Sequence, residues 1–522
     1  MLLGALAVYF GALFAIHLGD LPTSDDFYLL YKLEPYRNLN PLSLFAPSVE
    51  TRILPPFYRP AVFMPYLLGD GINDSFAAAH LMVFATRIGG LWAFYYLARE
   101  FVGDSKLALW SSFCIFALHS SQVAPVFWVA AYGDCLATTM VTVSLLCILR
   151  AKRSASPKQA HLLMTAASVA FIIGLTGKEI GILTPLLACG WFLRDYRRFW
   201  PWLVGIGCCT LAYLLMRWSF AGSEGVQQWQ LRYLPSSLST VFSRTLWTLR
   251  DFDIMLVGKY CESPVLRVLA LAVIAGIVAT YSTIEIRARH FANTACMLAL
   301  LVLPPILSGG FIHARYAFMP AVALAIICGT LINRFAKTET PRNIAVALTA
   351  AFCIFHAHMT WFEADLFKRA GVEAKQLVDL GRQTADTTQP VFIASLPYEI
   401  KACTFSIFCP FAYVSNALYP EWIARLAGNP EATMIPLTGH IAATDLSQTP
   451  KVQCDRGVVK IEALPTVEAT KPSVITNRQR PDWRPWVSRQ SAEEGALTFA
   501  MKPSSYSAIY ARTPAGYEKI CP

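Results

Sequence analysis

The sequence predicts an α-helical polytopic membrane protein with a small α+β domain at its C-terminal end. Of the 522 residues, 55% are hydrophobic and 15% are charged, and the mean hydropathy is +0.44. Soluble domains usually contain about 25% charged residues, so one aqueous core could not enclose this many apolar side chains. Apolar stretches of span length recur as far as residue 361, and a polar tail rich in Pro and Thr follows them.

About eleven apolar stretches are predicted to cross the membrane. Several are shorter than the ~20 residues that a straight crossing needs, so two of them are candidates for re-entrant segments. The first has neither the positive start nor the cleavage site of a signal peptide, and we expect it to be retained as a span. The stretches cover residues 1–18, 76–98, 107–121, 125–149, 162–177, 180–193, 199–220, 264–284, 291–308, 316–333 and 343–361.

The loops between these stretches predict the orientation of the chain. Lys and Arg are concentrated in five alternate loops, and the loops between them carry fewer positive residues for their length. By the positive-inside rule the five loops are cytoplasmic, which places the 20–74 loop and everything after about residue 362 outside. This topology accounts for the net charge of +10. Since no basic run with interleaved aromatics is present, we expect no nucleic-acid partner.

The tail is predicted to be a soluble extracytoplasmic domain of residues 363–522, after a transmembrane module of residues 1–362. A helix over about 363–383 is expected to lead out of the membrane. Short strand-like runs then follow, which predict a small α+β domain. These runs are Val391–Ser395, Val458–Leu464, Leu497–Met501 and Ala508–Ala511.

The tail also contains four of the fourteen cysteines. In an oxidising compartment they predict two disulfides with three possible pairings, and four unpaired thiols are the alternative. No Cys-x-x-Cys spacing occurs, so a zinc site is not expected. His356 and His358, near the outer end of the last span, have no partner with metal-ligand spacing and are interpreted as structural. The four cysteines are Cys403, Cys409, Cys454 and Cys521.

Two adjacent carboxylates, Asp25 and Asp26, follow the first stretch in the outer loop. A carboxylate there can accept a proton from a hydroxyl group or hold a divalent cation against a phosphate. Repulsion between neighbouring carboxylates can also raise the pKa of one of them. The alternative is a solvated helix start, because Ser24-Asp25-Asp26 has good N-cap chemistry, and the spacing alone favours this alternative.

Two other charged residues lie close to the predicted outer surface. Arg59 is part of the aromatic segment FYRPAVFMPY, where a guanidinium can hold a lipid phosphate in a bidentate fork or belong to an interfacial aromatic belt. Asp134 is the single acid of its stretch. An ionisable group in a span usually faces the interior of the bundle, so Asp134 is either functional or the buried partner of Arg87.

Two charged turns follow further along the chain. Lys178 and Glu179 lie in GLTGKEIGILTPLL, between two apolar stretches at the outer side. Charges there run against the positive-inside trend, which favours a functional role. Arg315 and Tyr316 follow His313 in the last short outer turn. Arg315 either neutralises a phosphate or anchors the topology.

Taken in chain order, these motifs resemble those of the C-type, multi-span glycosyltransferases (GT-C) that use polyprenyl-phosphate sugars. The resemblance covers about residues 1–335 and is closest to the transmembrane O-mannosyltransferases that usually carry helical repeats, and to their bacterial relatives. The chain differs in having Gln122 in place of a Glu, in lacking an Arg beside Gly133-Asp134, and in lacking the repeats. The matching residues are Asp25-Asp26, Arg59-Pro60, His119, Asp134, Lys178-Glu179 and Arg315-Tyr316.

The resemblance implies transfer of a sugar, such as mannose, from a polyprenyl-phosphate donor to a hydroxyl group of a protein, glycan or lipid acceptor. Transfer would occur at the outer face with inversion, and Asp25 or Asp26 would be the general base. A divalent metal is compatible with this chemistry but is not required, and no metal ligands are assigned. The implied donor-site residues are Arg59, Lys178 and Arg315 on the phosphate, Glu179 and Asp134 orienting these cations or the sugar, with Tyr316 and His119 beside them.

Two other functions stay open at this point. A transporter or lipid-linked sugar flippase would have Gly- or Pro-broken helices in two matching halves with charges near mid-membrane, whereas the charges here cluster at outer loop ends. An inactive relative would use its outer domain as a binding module. We expect a bacterial inner membrane, with the endoplasmic reticulum membrane as the alternative location.

Overall fold

The computed structural model describes most of the helical part of the chain and short strands of the tail. Cys403, Cys409 and His313 lie outside the described residues. The residues that the structure describes are 2–23, 25–36, 40–46, 59–68, 76–192, 196–220, 243, 245–246, 248–257, 263–288, 290–307, 314–384, 391–393, 397–401, 411–413, 434–436, 441–443, 451–455, 458–462, 487–493, 496–501, 508–513 and 516–521.

Helices form where the sequence is rich in Leu, Ala and Ile, and their starts follow familiar capping rules. Ser156-Pro157 and Ser263-Pro264 each place a capping hydroxyl before a proline at the first helical position. The helices are α1 Leu2–His17, α2 Asp25–Leu33, α3 Met64–Leu67, α4 Ala77–Val102, α5 Lys106–Leu118, α6 Val123–Phe127, α7 Tyr132–Arg153, α8 Pro157–Gly177, α9 Leu183–Phe192, α10 Tyr196–Phe220, α11 Ile254–Val257, α12 Pro264–Arg287, α13 Phe291–Leu307, α14 Phe318–Phe335 and α15 Glu339–Gln383.

Seven helices among the described residues are long and apolar enough to cross a membrane. Helix α5 and the segment Ser120–Phe127 are together long and apolar enough to cross, and they meet at a bend of 41°. They form either an eighth, broken span or a re-entrant segment. Each of the eleven predicted stretches contains a helix, but the helices over 1–18, 180–193 and 291–308 fall below span length. These helices are those of an integral multi-pass membrane protein, and the count of eleven spans stays a prediction.

The chain divides into two compact units. Unit 1 comprises Met1–Arg37, Gly69–Ala78 and Glu363–Pro522, and unit 2 comprises Asn38–Leu68 and Ala79–Phe362. Helix α15 is continuous across the boundary, so the helix predicted over 363–383 is the C-terminal part of the last span's helix.

Unit 1 contains three small sheets whose strands overlap the four predicted runs. Their orders are β11-β10-β1-β4, β3-β2-β5 and β6-β7-β9-β8, and β1 pairs in parallel with both β10 and β4. The strands are β1 Val391–Ile393, β2 Pro397–Lys401, β3 Phe411–Tyr413, β4 Met434–Pro436, β5 Ile441–Ala443, β6 Lys451–Asp455, β7 Val458–Glu462, β8 Val487–Glu493, β9 Ala496–Met501, β10 Ala508–Thr513 and β11 Gly516–Cys521.

Two features fasten the tail within unit 1. A disulfide joins Cys454 of β6 to Cys521 of β11, with a Cα–Cα distance of 6.0 Å, and it belongs to one of the three predicted pairings. Buried Glu373 of α15 accepts a hydrogen bond from Nε of Arg512 at 2.6 Å and one from the hydroxyl of Tyr517 at 3.3 Å. Burial, and then the carboxylate of Glu373, raise the pKa of Tyr517 above its ordinary value.

Unit 2 is organised around α7 and α14. In these two spans 78% and 72% of the residues of the apolar window are buried, compared with 17% in α10 and in α12. Helices α7 and α14 therefore occupy the interior, while α10 and α12 are peripheral and expose apolar side chains as lipid-facing helices do. Helix α7 packs along α8 and helix α14 along α5, and α7 also contacts α14.

Candidate functional site

Arg59 and Glu179 form a two-point ion pair in unit 2. Arg59 precedes the 3-10 turn Pro60–Phe63, and Glu179 begins the 3-10 turn Glu179–Ile182. Nε of Arg59 donates to Oε1 of Glu179 at 3.0 Å, and Nη2 donates to Oε2 at 2.6 Å. Burial by itself lowers the pKa of Arg59, but the adjacent carboxylate of Glu179 outweighs it, so the pKa lies above its ordinary value. The two side chains stay partly exposed, at 23% and 22%.

A second ion pair lies where α7 begins and α8 ends. Lys178 follows Gly177, the last residue of α8, and its ammonium contacts the carboxylate of Asp134 in the first turn of α7. A Cβ at Gly133 would lie only 2.5 Å from the carbonyl oxygen of Gly177. Glycine at position 133 therefore allows the two helix ends to approach closely. The carboxylate of Asp134 also lies at the positive end of the α7 dipole, which stabilises a negative charge.

Arg315 completes this arrangement from the 3-10 turn Ala314–Ala317. Its Nε lies 3.9 Å from Oδ2 of Asp134. The guanidinium carbon lies 4.9 Å from the ring centre of Trp128 and 5.4 Å from that of Tyr316, and Nζ of Lys178 lies 4.6 Å from the Tyr316 ring. Such cation–π contacts hold the two cations against fixed aromatic faces.

Together these residues form what we call the cation cluster: Arg59, Asp134, Lys178, Glu179 and Arg315. The field of Asp134 contributes to the raised pKa of Arg59, which indicates that the two ion pairs are neighbours. Three cations face two carboxylates, so the cluster carries an excess of one positive charge. A partly buried cluster of this kind can bind an anion of low charge with little competition from water.

Asp25 and Asp26 belong to unit 1, where the structure gives them different surroundings. Asp26 is 2% exposed, and its Oδ2 accepts a hydrogen bond from the backbone N–H of Thr23 at 2.8 Å. The backbone N–H of Asp26 in turn donates to Thr23 O at 3.0 Å. The bond from Thr23 N–H to the carboxylate is the acidic half of a capping box, while the return bond from Asp26 N–H goes to a backbone oxygen, as in a turn. Asp25 is more exposed. Burial, and then the charge of Asp25, raise the pKa of Tyr28.

His119 is enclosed by other parts of the protein. The imidazole is fully buried. Its Nδ1 pairs with the Ser121 hydroxyl at 2.7 Å and its Nε2 with the Met255 carbonyl at 3.0 Å. Both ring nitrogens are therefore committed to neighbouring parts of the protein, and the role of His119 in donor binding stays a prediction that this geometry does not support.

The alternative pairing of Asp134 with Arg87 is wrong. Arg87 is 1% exposed, and its Nε donates to Oε1 of Gln122 at 2.9 Å while Nη2 donates to the carbonyls of Phe116 and Ala117. The guanidinium also lies over the rings of Phe116 and Phe318. Gln122, at the position where the resembled family has Glu, is therefore the side-chain partner of Arg87. Asp134 instead forms its ion pair with Lys178.

Metal-ligating residues do not gather in the part of the chain that the structure describes. No group of three or more His, Cys, Asp or Glu side chains there could hold a metal ion. His356 is fully buried and engaged in hydrogen bonds through both ring nitrogens, in keeping with its structural interpretation.

The sequence reasoning missed Trp128. It stands between α6 and the turn Val129–Ala131, is 4% exposed, and faces Arg315. In the sequence it looks like another apolar residue of the run VAPVFWVAAY. No signal in that run could have shown that the guanidinium of Arg315 packs on the Trp128 ring.

No protein-family model matches this chain, and neither does any curated protein. Among solved structures, ArnT from Cupriavidus metallidurans bound to undecaprenyl phosphate is similar at 16% identity, over 75% of this chain and 82% of that one, with a TM-score of 0.43. The same protein in its apo state gives a TM-score of 0.44. An Archaeoglobus fulgidus oligosaccharyltransferase tethered with an acceptor peptide is similar at 12% identity, over 85% of this chain and 64% of that one, with a TM-score of 0.43.

Proposed function

We propose that this chain is a membrane glycosyltransferase that transfers a sugar from a polyprenyl-phosphate donor to a hydroxyl acceptor. The observation that supports this best is the cation cluster. Arg59, Lys178 and Arg315 come from turns far apart in the sequence, and each is held by a carboxylate or an aromatic face. The order of the matching motifs in the sequence points to the same class of enzyme.

The charge of the cluster suits such a donor. A sugar linked to a polyprenol through one phosphate is a phosphodiester with a single negative charge, which balances the cluster's excess of one positive charge. Transfer leaves more negative charge on the phosphate, and preorganised cations stabilise that change without rearranging. Arg59 and Arg315 offer planar forks of N–H donors, and Lys178 offers a point charge.

The surroundings of the two outer carboxylates favour Asp25 as the general base. The Asp26 carboxylate is buried and accepts the Thr23 N–H, so its contribution is to shape the start of α2. Asp25 lies in the same first helical turn and is the more exposed of the two. We therefore assign the base to Asp25 and a positioning role to Asp26.

The proposed reaction is a direct displacement. Asp25 accepts the proton of the acceptor hydroxyl as its oxygen forms a bond to the anomeric carbon of the sugar. The bond between that carbon and the phosphate oxygen breaks, and its electron pair leaves on the polyprenyl phosphate held by the cation cluster. The anomeric configuration is inverted. Glu179 and Asp134 keep Arg59 and Lys178 in place, and Tyr316 supports Lys178.

The remaining features of the proposal follow from the sequence. Transfer takes place at the outer face of a bacterial inner membrane, and the tail extends into the same compartment. The acceptor is a protein, glycan or lipid hydroxyl, and mannose is the first sugar to test. Adding a chelator to the assay would decide whether a divalent ion assists the phosphate's departure.

The test is sugar transfer by the purified protein in lipid nanodiscs, with a panel of radiolabelled polyprenyl-phosphate sugars. Asp25→Asn should lower turnover by about 10²–10⁴-fold, the usual contribution of a general base, with unchanged thermal unfolding. Asp104→Asn is the matched control, since this carboxylate is exposed and lies in a predicted cytoplasmic loop. Turnover that is equal in wild type and Asp25→Asn would place the base elsewhere. Lipid binding without turnover of any donor would instead support a flippase or an inactive binding protein.

A further inference from the structure

Two buried imidazoles stack on each other close to the bend between α5 and the segment Ser120–Phe127. The ring centres of His119 and His356 are 4.6 Å apart, and the ring planes differ by 23°. Both side chains are fully buried. His356 lies on α15, so the stack joins this last helix to the break that follows α5.

The hydrogen bonds fix the protonation of both rings. The backbone N–H of Ser120 donates to Nδ1 of His356 at 3.1 Å, so that nitrogen is an acceptor, and Nε2–H donates to the carbonyl of Leu256 at 2.9 Å. In the same way, the N–H of Ser121 donates to Nδ1 of His119 at 3.3 Å, and Nε2–H donates to the carbonyl of Met255 at 3.0 Å. Each ring is neutral and carries its proton on Nε2.

The two stacked rings therefore accept hydrogen bonds from the backbone N–H groups of Ser120 and Ser121, and donate hydrogen bonds to the carbonyls of Met255 and Leu256. The amides belong to the turn Ser120–Gln122, and the carbonyls belong to α11. Both segments pack against the turn Ala314–Ala317, which carries Arg315. We infer that His119 and His356 are positioning residues for Arg315, an inference that rests on the proposed function of that arginine.

The segment that includes α11 has a second anchor, which keeps the effect of the stack local. Arg267 of α12 donates to Oδ1 of Asp251 at 2.6 Å and lies 3.3 Å from Oδ2 of Asp253. When one imidazole is removed, α11 loses its hydrogen bond to that ring, but Arg267 still holds Asp251 and Asp253 in the segment before it. The orientation of Arg315 should then loosen while the fold of unit 2 persists.

A double-mutant cycle on lipid binding tests this inference. Wild type, His356→Ala, Arg315→Ala and the double variant are titrated with polyprenyl phosphate in nanodiscs. We expect His356→Ala to weaken binding by about 2- to 30-fold in the wild-type background, the range of coupling through a packed network. In the Arg315→Ala background it should have no further effect. Equal losses in both backgrounds would overturn the inference.

Two further variants of α15 make the result specific. His356→Asn places an acceptor oxygen near the position of Nδ1, so it should recover the bond from Ser120 N–H and part of the affinity. His358→Ala is the matched control, because this histidine is exposed and lies two residues further along the same helix. A loss in His358→Ala equal to that in His356→Ala would contradict a specific role for the stack.

Amide hydrogen exchange separates this inference from the proposed function. If wild type binds no polyprenyl phosphate, the proposed function fails, but the mechanical link can still be measured. His356→Ala should then speed exchange in peptides that cover 254–257 and 314–317. Faster exchange at 254–257 with unchanged exchange at 314–317 would overturn the positioning role, whatever the ligand of the site.

Discussion

Gly133→Ala should disrupt the contact between Asp134 and Lys178. The new Cβ would lie 2.5 Å from the Gly177 carbonyl oxygen, and ordinary contact begins at 3.4 Å, so the two helix ends must separate by about 0.9 Å. The clash is with backbone, which cannot rotate away as a side chain can. Overpacking of this kind costs about 1–3 kcal/mol of stability. A displacement near 1 Å in a positioned site can also cost about 10²-fold in rate.

The assays for this variant are thermal unfolding in detergent and turnover with the best donor of the panel. Gly205→Ala is the matched control, because no heavy atom lies within 4 Å of the position a Cβ would take on α10. That control should be neutral or more stable by about 0.5–1 kcal/mol, the usual gain of alanine over glycine in a helix. Wild-type turnover and stability in Gly133→Ala would refute the close approach of α7 and α8 and its part in the site.

Three other changes follow from the same contacts. Arg59→Lys keeps the charge but loses the fork to Glu179, and should weaken polyprenyl-phosphate binding by about tenfold in a nanodisc titration. Lys178→Met leaves Asp134 without its closest cation and should lower the free energy of unfolding by about 3–5 kcal/mol, and adding Asp134→Asn should restore part of it. Cys454→Ser removes a disulfide between residues 67 apart and should destabilise the tail by about 2–5 kcal/mol, measured by limited proteolysis with and without reductant.

The sequence predicted the elements of the fold better than the contacts between them. Hydrophobic run length locates helices well, because a run of about 20 apolar residues has few alternatives to a span. It does not show that α15 continues beyond the last span as one helix of 45 residues. That depends on the continuity of the backbone and on the packing of the polar part of the helix within unit 1.

Candidate site residues could be identified by type and order, but their partners could not. The sequence offered Arg87 as a buried partner for Asp134. In the structure Arg87 bonds to Gln122 and to backbone carbonyls, while the close approach of Gly133 to Gly177 brings Lys178 to Asp134. His119 matched a family motif, yet its ring nitrogens are committed to the backbone and a serine. A motif records which residue stands at a position, whereas its role depends on neighbours that are distant in the sequence.

The most direct test of the central claim is a comparison of two lipids that differ only in the phosphate. Wild type and Arg315→Ala are titrated with polyprenyl phosphate and with unphosphorylated polyprenol of the same length. If the cation cluster binds the donor phosphate, wild type should prefer the phosphate lipid. Arg315→Ala should lose about 10- to 100-fold of that preference, the value of a charge-assisted hydrogen bond. Equal affinity of wild type for the two lipids, or a preference that is undiminished in Arg315→Ala, would contradict the account.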